Sequence, residues 1–271
     1  MSTAPDATTA VAENFTSTAK DSDAVVRHNI DGAVRLVASI PAGAYRRVLD
    51  VGCGTGWASL AMVERFACEH VTGVDPAEGM LQVFQQKLAE LSAAEVELRA
   101  ADVMEMGVPS ESYDAVISSM AMHWFPDKPG ATVEMARALR PGGVIAILCS
   151  GRGGEHEFRD ILRSLDPPAP AAWDAAFDAV QRDVDEMEEY IRGAGLEPVD
   201  IWMETRVRHA TPADYLERMR VVASHITAGS LDEAGIADLL GRIEAAMHAV
   251  SGPRGFRYTF TKLFAIARKP D

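Results

Sequence analysis

The chain is poor in cysteine and in long apolar runs. Only 3 of its 271 residues are cysteines, at positions 53, 68 and 149, with no paired spacing. This scarcity argues against a disulfide framework and a cysteine-based zinc site. We therefore expect no metal site and a protein located in the reducing cytoplasm. No apolar run approaches the roughly 18 residues of a membrane helix, so we expect no membrane span. The first 19 residues contain no lysine or arginine, which is untypical of a signal peptide.

Basic residues are outnumbered by acidic ones. The 26 Lys and Arg against 40 Asp and Glu give a formal net charge of −14. A charge of this sign repels phosphate backbones, so the composition disfavours nucleic acid as a substrate or partner. Hydrophobic residues at 48% and charged residues at 24% are ordinary for a globular protein. Composition leaves the oligomeric state open.

The most informative segment of the chain runs from Val48 to Trp57. It has the pattern of a short apolar strand, a glycine-rich turn and the start of a helix, with glycines at 52, 54 and 56. Glycine permits positive φ and lets a ligand approach where a Cβ would clash. The following helix would direct its free N–H groups at the turn. Asp75 follows Gly54 by 21 residues, after a second strand, where a carboxylate that binds ribose hydroxyls belongs.

The glycine spacing distinguishes between nucleotide ligands. A dinucleotide fingerprint, G-x-G-x-x-G, would place its third glycine at Trp57. Asp50 precedes the turn, and a nearby anion disfavours a pyrophosphate. The carboxylate suits a ligand with an ammonium group as well as an adenosine, and S-adenosylmethionine has both.

Four segments together resemble the class I S-adenosylmethionine-dependent methyltransferases, of the UbiE-like or trans-aconitate methyltransferase-like small-molecule type. They are residues 49–56, 73–76 followed by Met80, 101–103 and 139–143. The resemblance covers about 45–150. It implies an α/β, Rossmann-like, seven-stranded and mainly parallel sheet. The last strand is expected to run antiparallel beside the fifth, and helices are expected to form a lid.

The alternation of apolar segments predicts the same order of elements. Strands are predicted at 46–52, 70–75, 96–102, 114–119 and 142–149, with helices at about 56–67, 77–91 and 128–139. After Ser150 we expect a flexible loop at 151–154, a proline-rich break at 166–170, a helix at 182–194 and a strand at 198–208. Helices from 211 to about 227 and over 231–249 precede a last strand at 256–267. Residues 1–40 are predicted to form an N-terminal tail, disordered to about residue 13, followed by lid helices. Residues 41–271 are predicted to form the S-adenosylmethionine-binding domain, with a helical insertion at about 209–252.

The resemblance and the strand ends define the expected cofactor site. Asp75 is expected on the ribose and Asp102 with Val103 at the adenine, although a helix cap and a simple turn are the alternatives. Pro76 and Met80 are expected to pack the adenosine, and a core methionine is nearly as good an interpretation of Met80. The full expected set is Asp50, Gly52, Cys53, Gly54, Gly56, Asp75, Pro76, Met80, Asp102, Val103, Ser119 and Met120.

Residues beyond the fourth and fifth strands are the candidates for substrate contact and catalysis. His123 has the ordinary pKa of a general base, although a structural histidine is the plainer interpretation. Trp124 and Phe125 are candidates to line an acceptor pocket, or are simple core residues. Glu155 and His156 follow the fifth strand and are candidates to orient substrate, or are surface residues.

The sequence therefore predicts transfer of a methyl group from S-adenosylmethionine to a small molecule, leaving S-adenosylhomocysteine. Oxygen, carbon and nitrogen acceptors all remain open, and secondary or cofactor metabolism is the setting that the resemblance implies. The alternative is an enzyme of the same fold that binds the same cofactor and catalyses a rearrangement or cyclisation, because a fold does not fix a reaction.

Overall fold

A computed structural model describes residues 11–13, 15–17, 19, 27–88, 94–227 and 232–271. The chain forms two compact units. The first comprises Met1–Cys149, Asp183–Trp202 and Leu263–Asp271, and the second comprises Ser150–Arg182 and Met203–Lys262. The predicted disorder of residues 1–10 lies outside the described part, whereas residues 11–13 are helical and contradict the prediction there.

Seven strands form one sheet in the order β3-β2-β1-β4-β5-β7-β6. They are β1 (Arg47–Val51), β2 (His70–Val74), β3 (Glu95–Arg99), β4 (Tyr113–Ser119), β5 (Leu139–Ser150), β6 (Glu197–Ala210) and β7 (Phe256–Arg268). The first five pair in parallel. Gly142 donates to Lys269, and Lys269 donates to Gly143, both at 3.0 Å, so β7 runs antiparallel to β5. The predicted sheet, including its antiparallel last strand beside the fifth, is confirmed.

From Arg27 onward, nine helices of the described residues flank or connect these strands. They are α1 (Arg27–Ser39), α2 (Trp57–Phe66), α3 (Glu78–Leu88), α4 (Lys128–Ala138), α5 (His156–Ser164), α6 (Ala171–Val180), α7 (Val184–Gly193), α8 (Pro212–Thr227) and α9 (Glu233–Val250). The predicted helices before α1, at residues 20–26, lie outside the described residues. Short 3-10 turns cover Val103–Glu105 and Met122–Trp124.

Two apolar cores cover the faces of the sheet in the first unit. Alternate residues of β1 point to opposite sides, so Val48 packs with Leu36 of α1, whereas Leu49 packs with Met135 of α4. Burial of both faces is the usual requirement of parallel strands. It leaves the ends of the strands as the exposed edges where a ligand can meet the sheet.

The third and fifth strands have different limits from those predicted. β3 ends at Arg99, so Asp102 lies in a turn beyond it. β5 begins at Leu139, because Leu139 pairs with Tyr113 before Val144 pairs with Ala115. Residues 139–143, which resemble the turn before the fifth strand of the family, thus form a bulge within β5, with Gly142 at φ 72°.

Helices α5 and α6 were not predicted. In α5 the buried residues are Phe158, Ile161 and Leu162, and in α6 they are Trp173 and Phe177. Both sets have the three- and four-residue spacing of an apolar helix face, so the signal was present in the sequence. The glycines at 151–154 and the prolines at 167–170 obscured it by suggesting a continuous loop.

Candidate active site

The glycine turn after β1 has the backbone that its sequence predicts. Gly52, Gly54 and Gly56 have φ of 69°, 52° and 88°. A Cβ on Gly52 would lie 2.2 Å from the Cβ of Ala121, and one on Gly56 would lie 2.2 Å from the ring of Phe84. A Cβ on Gly54 would meet no atom within 4 Å in the described part of the protein. The outer glycines therefore permit close packing, whereas Gly54 borders open space.

Asp75 ties this turn to the start of α3. Its Oδ2 accepts from the N–H of Gly54 at 2.8 Å, and its Oδ1 accepts from the N–H of Ala77 at 2.8 Å. Burial raises the pKa of this carboxyl to about 6, against the lowering effect of both hydrogen bonds. Each carboxylate oxygen accepts more than one hydrogen bond, so Asp75 retains acceptor capacity.

Asp50 lies within β1 and is fully buried. Its Oδ2 accepts from the N–H of Ser59 at 3.1 Å and from the Ser59 hydroxyl at 2.7 Å. Its Oδ1 is buried with no hydrogen-bond partner among the residues that the structure describes. Burial raises the pKa of Asp50 to about 7, and the charge of Asp75 adds to the rise. A buried acceptor without a donor costs about 1–3 kcal/mol, so this oxygen is poised for a ligand.

Cys53, Met80 and Val103 are largely packing residues. A Cβ on Gly73 would lie 3.0 Å from the Cys53 sulfur, and burial raises the pKa of the Cys53 thiol. Met80 is 4% exposed, in a small apolar cluster with Ala77. Val103 is also buried.

Asp102 and Pro76 lie in the turns after β3 and β2. Oδ1 of Asp102 accepts from the N–H of Met104 at 2.9 Å and so begins the 3-10 turn. The residue is partly exposed. Pro76 is exposed.

Ser119 and Met120 end β4 beside the glycine turn. Met120 has φ 57°, a left-handed conformation that a non-glycine residue adopts at a cost of about 1–3 kcal/mol. Its N–H donates to the carbonyl of Leu148 at 2.7 Å, which holds the strained bend against β5. The bend places Ala121 against Gly52, so the chain segments after β1 and β4 meet.

His123, Trp124 and Phe125 follow this bend. His123 is 7% exposed, and its ring lies 4.9 Å from that of Trp124. Trp124 is partly exposed, and Phe125 belongs to the first apolar core. Trp124 thus keeps accessible surface, whereas Phe125 packs in the core.

Glu155 and His156 lie in the second unit. Glu155 is buried, and its two carboxylate oxygens accept from the Tyr215 hydroxyl at 2.5 Å and from Arg218 at 2.8 Å. The guanidinium of Arg218 lies 4.8 Å from the ring centre of Tyr215 and 5.0 Å from that of Tyr258. His156 is exposed beside Glu157.

No local pattern in the sequence points to Tyr215 and Arg218. They are 60 and 63 residues from Glu155 along the chain, so only the folded second unit reveals the cluster. Burial alone would lower the pKa of the Arg218 guanidinium. The negative charge of Glu155 outweighs the effect of burial, so the pKa is raised.

Neither a metal cluster nor a membrane-spanning helix is present in the described part of the chain. There, no group of three or more His, Cys, Asp or Glu side chains is placed to hold a metal ion. Nor does any helix in that part have the length and apolarity needed to cross a bilayer.

Comparison with known proteins decides the family. A methyltransferase domain model matches residues 48–143, from the glycine-turn strand into β5. A malonyl-acyl-carrier-protein O-methyltransferase of Dechloromonas aromatica is 29% identical over 254 residues, which cover 92% of this chain and 89% of that protein. A trans-aconitate 2-methyltransferase of Methylobacterium nodulans is 29% identical over 245 residues, covering 88% and 92%. The chain thus contains a methyltransferase domain, and its relatives support a class I S-adenosylmethionine-dependent methyltransferase of the small-molecule type.

Solved structures share the fold of this methyltransferase. A phosphoethanolamine N-methyltransferase of Haemonchus contortus, solved with S-adenosylhomocysteine, is 20% identical with a TM-score of 0.55, covering 89% of this chain and 53% of its own. The cyclase SpnF is 22% identical with a TM-score of 0.53, covering 89% and 80%. The methyltransferase uses S-adenosylmethionine as its donor and a small molecule as its acceptor.

Proposed function

We propose that the glycine turn and the carboxylates around it form the S-adenosylmethionine site, and that the acceptor is a small carboxylic acid methylated on oxygen. In this assignment Asp75 accepts hydrogen bonds from the ribose hydroxyls, and Asp50 lies at the amino-acid end of the donor. Asp102 and Val103 lie at the adenine. Ser119 and Met120 end the strand beside the turn.

The unpartnered Oδ1 of Asp50 is the observation that supports this site best. A buried carboxylate oxygen that has no donor among the described residues is costly, and the ammonium group of S-adenosylmethionine would compensate its charge. The open space at Gly54 provides the adjacent volume, because the backbone there has no side chain to exclude a ligand. Both features lie within the first unit.

The chemistry requires little from protein side chains. The sulfonium of the donor supplies an activated methyl group, so the protein mainly orients the acceptor, and orientation alone contributes roughly 7–11 kcal/mol. A carboxylate acceptor needs no general base. His123, although close to the bend after β4, is buried and packed on Trp124, which suits an orienting role better than proton transfer.

The acceptor class follows from the relatives that match along most of their length. The Dechloromonas aromatica relative is named for O-methylation of a malonyl group, and the Methylobacterium nodulans relative is named for trans-aconitate. The malonyl group and trans-aconitate both carry free carboxylates. A demethylmenaquinone methyltransferase of Listeria monocytogenes is 40% identical, but over only 37% of this chain and 43% of its own. This partial match therefore supports the assignment of the donor site more than it supports any assignment of the acceptor.

Two experiments test the proposal. Calorimetric titration should show micromolar S-adenosylmethionine binding and no NAD binding, with a loss of at least tenfold in affinity for Asp75→Ala. Incubation with labelled donor and a panel of small acids, phenols and quinol precursors should label an acid as its methyl ester. Full affinity in Asp75→Ala would refute the ribose assignment, and labelling of a phenol or a carbon atom alone would refute the acceptor class.

The cyclase likeness makes a non-methylating reaction the second candidate. Turnover that converts substrate without accumulating S-adenosylhomocysteine would establish it. We expect S-adenosylhomocysteine to form in equal amount with the methylated product.

A further inference from the structure

Strand β6 (Glu197–Ala210) is 14 residues long and lies at the end of the sheet. Within the part of the chain that the structure describes, β7 is its only neighbouring strand, so the other edge of β6 is open. The backbone N–H and C=O groups along an open edge can pair with a further strand. Strands are usually only about 5–6 residues long, so this edge offers an unusually long row of such groups.

Three large apolar side chains of β6 are exposed. Val199, Met203 and Val207 keep 54%, 41% and 51% of their accessible surface. They are four residues apart, and the alternation of a strand places all three on one face. A row of exposed apolar side chains beside an open sheet edge is typical of an interaction surface.

The contacts between β6 and β7 confirm that the alternation is regular in the middle of β6. The rings of Trp202 and Phe264 stack with centroids 4.9 Å apart, and the hydroxyl oxygens of Thr205 and Thr261 are 3.0 Å apart. These two pairs are three residues apart on each strand, in opposite directions, so β7 runs antiparallel to β6 with no bulge between them. Thr205 therefore shares the face of Met203.

The charges of β6 are divided along its length. Every acidic residue precedes every basic residue and the histidine. The acidic residues are Glu197, Asp200 and Glu204, and the others are Arg206, Arg208 and His209. Asp200 and Arg206 are both exposed. The Arg206 guanidinium lies 3.4 Å from Glu204 on its own strand and has further N–H donors for a second carboxylate. An antiparallel copy of β6 would place the acidic half opposite the basic half.

One register matches two antiparallel copies of β6 residue by residue. With Met203 opposite Met203 of the second copy, Val199 lies opposite Val207, and Asp200 lies opposite Arg206. The valine and methionine pairs lie on one face, and the charged pair lies on the other. A two-fold axis repeats each pair, and cross-strand pairs of this kind are what stabilise a sheet.

Other registers fit less well. A shift of one residue would bring opposite faces together. A shift of two residues places Asp200 opposite Glu204 in one direction and Glu204 opposite itself in the other, so like charges meet. A shift of four residues pairs no opposite charges in one direction. In the other direction it leaves Val199 beyond the end of the partner strand.

We propose that β6 is a homodimer interface, in which two copies of this chain pair antiparallel along their open edges about a two-fold axis at Met203. The occupant is a second copy because the charge pattern of β6 is complementary to itself, as an isologous interface requires. The interface joins the two sheets into one continuous sheet. This inference is independent of the proposed donor site.

Charge reversal tests the pairing. Asp200→Arg would place two arginines at each charged contact, and Arg206→Asp would place two aspartates there. We therefore expect each variant alone to raise the dimer dissociation constant at least tenfold in analytical ultracentrifugation. An equal mixture of the two variants should form a heterodimer of wild-type affinity, because each contact then joins an arginine to an aspartate. Asp160→Arg, an exposed reversal on α5, should dimerise like the wild type.

Cysteine cross-linking tests the register. The Cα atoms of directly opposite residues in an antiparallel pair are about 4.5–5.5 Å apart, a distance that a disulfide can span. We expect Met203→Cys to form an intermolecular disulfide under mild oxidation at least about fivefold faster than Thr205→Cys, which is exposed on the same face. The three native cysteines are buried, so the wild type should not cross-link.

Three results would overturn the interface. They are a monomeric wild type at micromolar concentrations, a dimer that persists unchanged in both reversal variants, and faster cross-linking of Thr205→Cys than of Met203→Cys. Thermal midpoints near that of the wild type should confirm that the variants fold. If a reversal variant does not fold, the cross-linking comparison decides, because it leaves every charge of β6 in place.

Discussion

Asp50 in the first unit and Glu155 in the second are both buried carboxylates, but their surroundings are opposite. Glu155 faces the guanidinium of Arg218 and the hydroxyl of Tyr215, so its charge is compensated within the protein. Asp50 has Ser59 as its neighbour, no hydrogen-bond partner for Oδ1 in the described chain, and a pKa raised to about 7. The difference indicates that a buried carboxylate whose two oxygens both have protein donors serves stability, whereas one with an unpartnered oxygen is prepared for a ligand.

Removing the carboxylate from the pair of Glu155 and Arg218 should have the largest effect. Glu155→Ala leaves the Arg218 charge buried without a carboxylate, so we expect a loss of about 3–5 kcal/mol in the free energy of unfolding. Urea titration measures it. Replacing both residues, as Glu155→Leu with Arg218→Met, should recover most of the loss. A Glu155→Ala protein of wild-type stability would show that the cluster contributes nothing.

Asp50 should make the free energy of unfolding of the unliganded protein fall as the pH rises. The pKa of Asp50 is about 7 in the folded chain and near 4 when unfolded, so the native state holds the proton longer. Below pH 4 this group has no effect. As the pH rises to 7, the unliganded protein should lose about 2–4 kcal/mol of stability through this group. Urea titrations at several pH values should show the loss in the wild type and a flatter profile in Asp50→Asn, and equal profiles would contradict the assignment.

The same substitution should weaken donor binding while sparing the fold. Asp50→Asn removes the charge that compensates the ammonium group, so we expect a 10- to 100-fold rise in Kd, or about 1.4–2.8 kcal/mol. Calorimetry measures this, with Asp160→Asn on the exposed face of α5 as the control. An unchanged Kd would place the ammonium group elsewhere.

The sequence predicts the first region far better than the second. The glycines at 52, 54 and 56, Asp50 and Asp75 lie within two short strand–turn–helix segments, so local pattern alone brings them together. The pairing of Glu155 with Arg218 depends on chain segments far apart in sequence, and no local rule specifies it. The predicted start of β5 was wrong for a related reason. Proline and glycine at 141–143 form a bulge within a strand as readily as a turn before a strand.

The N-terminal segment shows a third kind of difference. Its Ala, Thr and Ser content predicts disorder to about residue 13, yet Ala12, within that range, packs against the apolar cluster of Ala19, Ala77 and Met80. Composition measures what a segment can bury by itself. It does not register a surface elsewhere in the chain that the segment covers.

The structure of the protein crystallised with S-adenosylhomocysteine tests the central claim most directly. The account predicts ribose hydroxyls within hydrogen-bond distance of Asp75, the amino group toward Oδ1 of Asp50 and the ligand passing over Gly54. Density for the ligand at another edge of the sheet, or a turn filled by protein side chains, would contradict it.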